Sequence, residues 1–253
     1  MFLLGIDNIR IDKNYLKMLE EKKNKLFRFL VYEKKFNNLK LFRTYLRSLT
    51  RLEDLMNFKS AQFEANSRIE SDEYYQNLLK AFDYIVDEVI KNRSIKDQKT
   101  LLYLHYLIDP KNHAKNPGKT RNSLVMIGEH QTPEPNRVFS LIENMFFNAS
   151  EITNPIIKGI YFHHELVRIH PFSDGNGRIA RLVENWVLML DLFPPMIIST
   201  LKDRQGYIRS LDKSFASIEN NPDEANENTT LFFNSQMKRL NNSLDYLYTR
   251  LKL

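Results

Sequence analysis

Twelve consecutive residues concentrate the reactive side chains of this chain: His170-Pro171-Phe172-Ser173-Asp174-Gly175-Asn176-Gly177-Arg178-Ile179-Ala180-Arg181. His170 is an imidazole that can take a proton near neutral pH. Arg178 and Arg181 are three apart, so both can lie on one face of a first helical turn and grip phosphate groups. Gly175, Asn176 and Gly177 supply tight-turn chemistry just before that turn. A helix that starts after such a turn presents unpaired N–H groups and the positive end of its dipole, which suits a phosphate. Asp174 beside those amides would repel the phosphate unless a cation bridged the two, and Mg2+ does that. The parts add up to a triphosphate, a magnesium ion and a base.

Two helices are needed to hold such a loop, and the pattern supplies them. From Asn154 to Ile169, the residues Ile156, Ile157, Ile160, His164 and Val167 recur at threes and fours, and Pro171 stops the helix. From Arg178 onward Ile179, Leu182, Val183, Trp186, Val187 and Leu190 make an apolar stripe that reads as the second helix. Phe172 reads as an anchor of the loop in the core. Trp186 reads as core. His163 and His164 are adjacent and point about 100° apart on a helix, so they do not share a metal. One reads as a packed core histidine and the other as an aid to orienting the loop.

Position for position, His170 to Arg181 matches His-Pro-Phe-x-Asp-Gly-Asn-Gly-Arg-x-x-Arg. It resembles the signature of the Fic (filamentation induced by cAMP) family, with no fixed position missing. The resemblance implies an all-α, Fic-type helical domain with a short β-hairpin flap and N- and C-terminal helical extensions. It also implies a protein adenylyltransferase, with ATP as substrate and Mg2+ as cofactor. His170 would be the catalytic base, and Asp174 would hold the metal. Gly175, Asn176, Gly177, Arg178 and Arg181 would bind phosphates. The acceptor would be a Ser, Thr or Tyr hydroxyl of a target protein, with self-modification and a homo-oligomer left open. Residues 58–71 resemble the inhibitory helix of a Fic subclass, with Glu70 as the inhibitory glutamate. Asn66 and Ser71 depart from that motif. A carboxylate there would compete with the last phosphate for Arg181. Two alternatives stand beside this reading. One is a phosphodiesterase that removes AMP at the same site. The other is a nucleic-acid- or protein-binding regulatory module whose site is idle.

The remaining chain reads as helices over 12–57, 72–92, Ser94–Ile108, Val138–Phe147, Tyr207–Phe215 and Leu231–Leu251, with apolar residues at helical spacing. Ser94 reads as the cap of the third of these, with Asp97 three residues on. Asp109 to Arg137 contains four prolines and breaks the pattern. Within it, Ser123–Ile127 is a β-prone run that resembles the family's flap. An open strand edge there could align a target peptide by main-chain hydrogen bonds. The domain division that follows is 1–95 for an N-terminal helical region, 96–215 for the catalytic core and 216–253 for a C-terminal extension.

Composition sets the outer limits. At 253 residues with 42% hydrophobic and 27% charged content, the chain can build one sizeable soluble core. No cysteine is present, which excludes disulfides, thiol catalysis and cysteine metal sites and fits a reducing compartment. No apolar run reaches the ~20 residues that span a bilayer, and the start lacks the features of a cleaved signal. The expectation is a cytoplasmic protein. Net charge is +6, and Arg10 to Arg47 holds twelve Lys/Arg against four Asp/Glu. A solvated face of lysine-rich helices explains this better than a nucleic-acid surface, so nucleic acid is not expected as a partner.

Overall fold

A computed structural model describes residues 3–33, 68–109, 111, 116–196, 198, 200–220 and 227–252. Among them eight α-helices follow one another: α1 (Lys13–Glu33), α2 (Arg68–Ile90), α3 (Gln98–Ile108), α4 (Pro135–Glu151), α5 (Pro155–Ile169), α6 (Asn176–Leu190), α7 (Leu201–Asn220) and α8 (Glu227–Leu251). An antiparallel hairpin, β1 (Met126–Ile127) and β2 (His130–Gln131), lies between α3 and α4. The fold is all-α with a short β-hairpin, as the family resemblance implies. The second half of the first expected helical region, and residues 58–67 of the expected inhibitory helix, lie outside the described residues.

α5 and α6 form the central antiparallel pair. α2 and α3 pack on α6 and on each other, α4 and α8 pack on α5, and α7 and α1 pack on α8. α5 starts where Pro155 sits in the first turn and the Asn154 side chain accepts from the N–H groups of Ile156 and Ile157, at 3.0 and 3.1 Å. This satisfies two of the donors that a helix start leaves open.

α5 is buried on nearly every side, so its polar residues must find partners within the protein. Glu165 lies between the Arg168 guanidinium, at 3.0 and 2.7 Å, and His164 Nδ1, at 2.8 Å. The N-terminal segment closes over it, with Leu4 N–H donating to Glu165 at 3.3 Å. Burial pushes the Glu165 carboxyl up, but Arg168 and His164 outweigh it and hold the group at about 2. His164 Nε2 reaches Ser214 of α7 at 2.8 Å, and Ser214 bonds Thr229 of α8 at 2.7 Å. One polar chain therefore ties the central helix to both C-terminal helices.

Several element boundaries differ from the sequence reading: α4 runs beyond the expected Val138–Phe147 and α7 beyond the expected Tyr207–Phe215 at both ends, and two further differences have a clear cause. α3 begins at Gln98, not near Ser94, because Asp97 is the cap: its side chain accepts from Thr100 N–H at 2.9 Å. An ionised Asp next to the helix dipole outcompetes the serine three residues earlier. The β-prone run Ser123–Ile127 forms strand only at Met126–Ile127, paired as Met126 with Gln131 and Ile127 with His130. Gly128 takes φ +59 in the two-residue turn, a conformation that closes hairpins of this length.

Candidate active site

His170 ends α5 in the left-handed region, at φ 52 and ψ 60, and its N–H donates to Leu166 O at 3.0 Å. Phe172 follows, fully buried. Burial of such a ring is worth roughly 2–3 kcal/mol, enough to pin the loop. Its ring stacks on His105 of α3, with centroids 3.9 Å apart and planes at 5°. Asn176 closes the turn from within. Its Oδ1 accepts from Phe172 N–H and its Nδ2 donates to Phe172 O, both at 2.8 Å. The Asn176 side chain is thus committed to the loop's own backbone.

Two side chains outside the motif lock the loop, and sequence reasoning missed both roles. Gly118 N–H donates to His105 Nδ1 at 2.9 Å, so the other ring nitrogen carries the proton and donates to Asp174 O at 3.1 Å. Burial lowers the His105 pKa to about 4, so the ring stays neutral in this tautomer. Arg121 is buried and spans four carbonyls: Nε donates to His170 O and Nη1 to Ser123 O, each at 2.7 Å, while Nη2 donates to Pro133 O and Ile169 O. Arg121 N–H also donates to Pro171 O at 2.8 Å. This one guanidinium staples both ends of the hairpin to the motif loop. The expectation that His163 or His164 orients the loop is corrected. His163 reaches Glu184 and, at 2.7 Å, the Tyr207 hydroxyl, and His164 faces α7.

α6 begins at Asn176 behind Gly175, which has φ +80 and offers no side-chain cap. The first intrahelical bond is Ile179 N–H to Gly175 O at 2.9 Å, so the earlier amides have no partner within the helix. A cavity of about 390 Å³ opens there. Its wall includes His170, Ser173, Asp174, Gly175, Asn176, Gly177 and Arg181, then Arg204 and Tyr207 of α7 and Ile127 of the flap.

The structure separates the two arginines. Arg181 lines the cavity, whereas Arg178 is 1% exposed and does not. Its guanidinium lies 3.9 Å over the Tyr74 ring of α2 and donates to Asp174 Oδ2 at 3.0 Å. The aromatic face and the carboxylate four residues back draw it into the body of the protein. Asp174 itself is 38% exposed at the rim. His170 Nδ1 faces Val167 O at 3.3 Å, which keeps the proton on that nitrogen and leaves Nε2 as the acceptor. Burial, with Arg121 and His130 nearby, lowers the His170 pKa to about 4. Glu70 lies in the first turn of α2, one turn before Tyr74.

The family model for the Fic/DOC family matches residues 95–188, which contain the hairpin, α5, the loop and all but the last two residues of α6. Residues 95–188 carry a Fic/DOC-family domain. The "Protein adenylyltransferase Fic" of Nematostella vectensis is 30% identical over 139 residues, 53% of this chain and 32% of that protein. The chain spans about a third of the length of that curated relative. Two solved structures share the fold. A Fic domain containing signaling protein from Bacteroides thetaiotaomicron aligns with TM-score 0.71 at 19% identity, covering 91% of this chain and 95% of that one. A fragment of Fic-1 from C. elegans aligns with TM-score 0.62 at 17% identity, covering 95% and 73%.

Proposed function

We propose that this chain is a protein adenylyltransferase that moves AMP from ATP to a hydroxyl of a target protein. The observation that carries the reading is the single cavity wall on which His170, the open amides at the head of α6 and Arg181 meet. The hydroxyl oxygen attacks the α-phosphorus and its proton passes to His170 Nε2. The bond from that phosphorus to the oxygen bridging toward the β-phosphate breaks, and pyrophosphate leaves. The amides at Asn176 and Gly177 face charge that grows on the α-phosphate, and Arg181 holds an outer phosphate. Arg178 serves by fixing Asp174.

Mg2+ fits the donor set. Asp174 is one partly exposed carboxylate at the cavity rim. That suits an ion held by one or two carboxylates and otherwise by substrate phosphates and water. When bound, the ion would neutralise charge on the phosphates.

Restraint by Glu70 is part of the same proposal. Its support is the motif resemblance and the docking of Tyr74, one turn on in α2, against Arg178. The carboxylate would take Arg181 from the last phosphate. Glu70→Gly is expected to raise self-labelling from α-labelled ATP, and unchanged labelling would reduce Glu70 to a bystander. His170→Ala is expected to abolish that labelling, since a positioned base contributes roughly 10²–10⁴ in rate. Full retained labelling would remove His170 from the chemistry. The target is a protein bearing a Ser, Thr or Tyr hydroxyl, and the open edge of the hairpin is where its backbone would align.

A further inference from the structure

One polar group on the cavity wall has no part in the chemistry above. Asp212 of α7 lies among Ile208, Leu211 and Phe215, which with Ile127 and Ile198 give that part of the cavity an apolar lining. Its carboxylate sits under the flap turn, where a Cβ built on Gly128 would stand 3.5 Å from Oδ1. Among the described residues, neither oxygen of Asp212 accepts a hydrogen bond or pairs with a cation. Burial, then Glu129, push its carboxyl up, with His130 opposing. An ionised carboxylate only accepts hydrogen bonds, so a ligand that closes over Asp212 and displaces its water must offer a donor in return.

We infer that Asp212 is a specificity-determining residue that accepts an N–H from the amino edge of the nucleobase. This rests on the reading of the cavity as a nucleotide site. The apolar lining takes the flat face of any base, so it discriminates little. The carboxylate discriminates by charge: it attracts the amino group of adenine or the paired N–H groups of guanine and repels an edge that presents only ring nitrogens. A site built around such a hydrogen bond penalises the analogue that lacks the donor, because the acceptor is then left buried and unpaired.

The test is calorimetric binding, with Mg2+ present, of ATP, GTP, purine riboside triphosphate, and 2′-deoxy- and 3′-deoxy-ATP. Purine riboside triphosphate has the shape of ATP without the amino group. The wild-type protein is expected to bind ATP and GTP about tenfold or more tightly than the purine analogue. In Asp212→Leu, checked for unchanged thermal unfolding, the gap is expected to close to about threefold or less, while Asp212→Asn, whose amide oxygen still accepts, is expected to keep part of it. A wild-type protein that does not distinguish ATP from the analogue overturns the inference, and so does a gap that survives in Asp212→Leu. A loss confined to the two deoxy nucleotides assigns Asp212 to the sugar and overturns it as well. Binding is read here without transfer. A protein that ranks the bases as expected but transfers nothing sinks the proposed reaction and leaves Asp212 as the base reader. One that binds no triphosphate sinks both.

Discussion

His170 combines a left-handed backbone, an Nδ1 directed at a main-chain carbonyl and a pKa drawn down to about 4 by burial. The ring is therefore neutral and ready to accept a proton throughout the physiological range. The transfer rate is expected to stay flat from pH 8 down to about 5 and to fall only as pH approaches 4. A limb centred near 6.5 in the pH–rate profile would show that the burial argument is wrong. Gly175 offers a second test. An alanine there must adopt φ +80, and its Cβ would meet Ile108 Cδ1 at 2.8 Å. Gly175→Ala is expected to cost about 1–3 kcal/mol in denaturant unfolding, whereas a neutral effect would mean the loop relaxes freely. At this scale the candidate site was legible, because His170, Asp174 and Arg181 stand at fixed offsets within one stretch and line one cavity. The split between Arg178 and Arg181 was not. Spacing by three permits a shared face, but the Tyr74 ring that captures Arg178 comes from another helix.

The helices that hold the loop were legible at the level of elements, since α5 and α6 carry apolar stripes, α5 stops just before Pro171 and α6 starts behind Gly175. The clamps between elements were not. His105 lies 69 positions from Asp174, and Arg121 is 49 positions from His170. Each looks like an ordinary polar residue in its own segment, and only the packing of α3 and the hairpin on the loop gives it a role. Arg121→Lys keeps the charge but replaces a fork that spans four carbonyls with one ammonium. It is expected to destabilise the protein by about 1.5–3 kcal/mol. Amide exchange should rise in residues 123–133 more than in α6, and uniform exchange across both would deny that Arg121 is the staple of the flap. The shift of the α3 start from Ser94 to Asp97 has a similar lesson. Both residues can cap, and local sequence did not rank the carboxylate above the hydroxyl.

Across the whole molecule, buried titratable groups make stability depend on pH in one direction. Burial lowers His105 and His170 to about 4 and also lowers His164. Between the unfolded value near 6.5 and these folded values, the unfolded chain takes protons that the folded chain refuses. Stability is full above about 6.5 and falls as pH drops toward 4, by at most roughly 1.4 kcal/mol per pH unit for each histidine. Glu165, held at about 2 in the fold, extends the loss further. Its contribution is present above the unfolded carboxylate value and disappears as pH falls through the folded one. The thermal midpoint is expected to fall steadily from pH 7 to pH 5. A flat midpoint over that window would show these histidines to be solvated. Among the described residues no helix is long and apolar enough to cross a membrane.

The most direct measurement uses Glu70→Gly protein, Mg2+ and ATP labelled either at the α- or at the γ-phosphate, followed by intact-mass and label analysis of the protein. Adenylyl transfer through the cavity at the head of α6 predicts that the α label enters protein, that the γ label leaves with pyrophosphate, and that both signals vanish when His170→Ala is added. Incorporation of the γ label, or α-label transfer undiminished without His170, would contradict it.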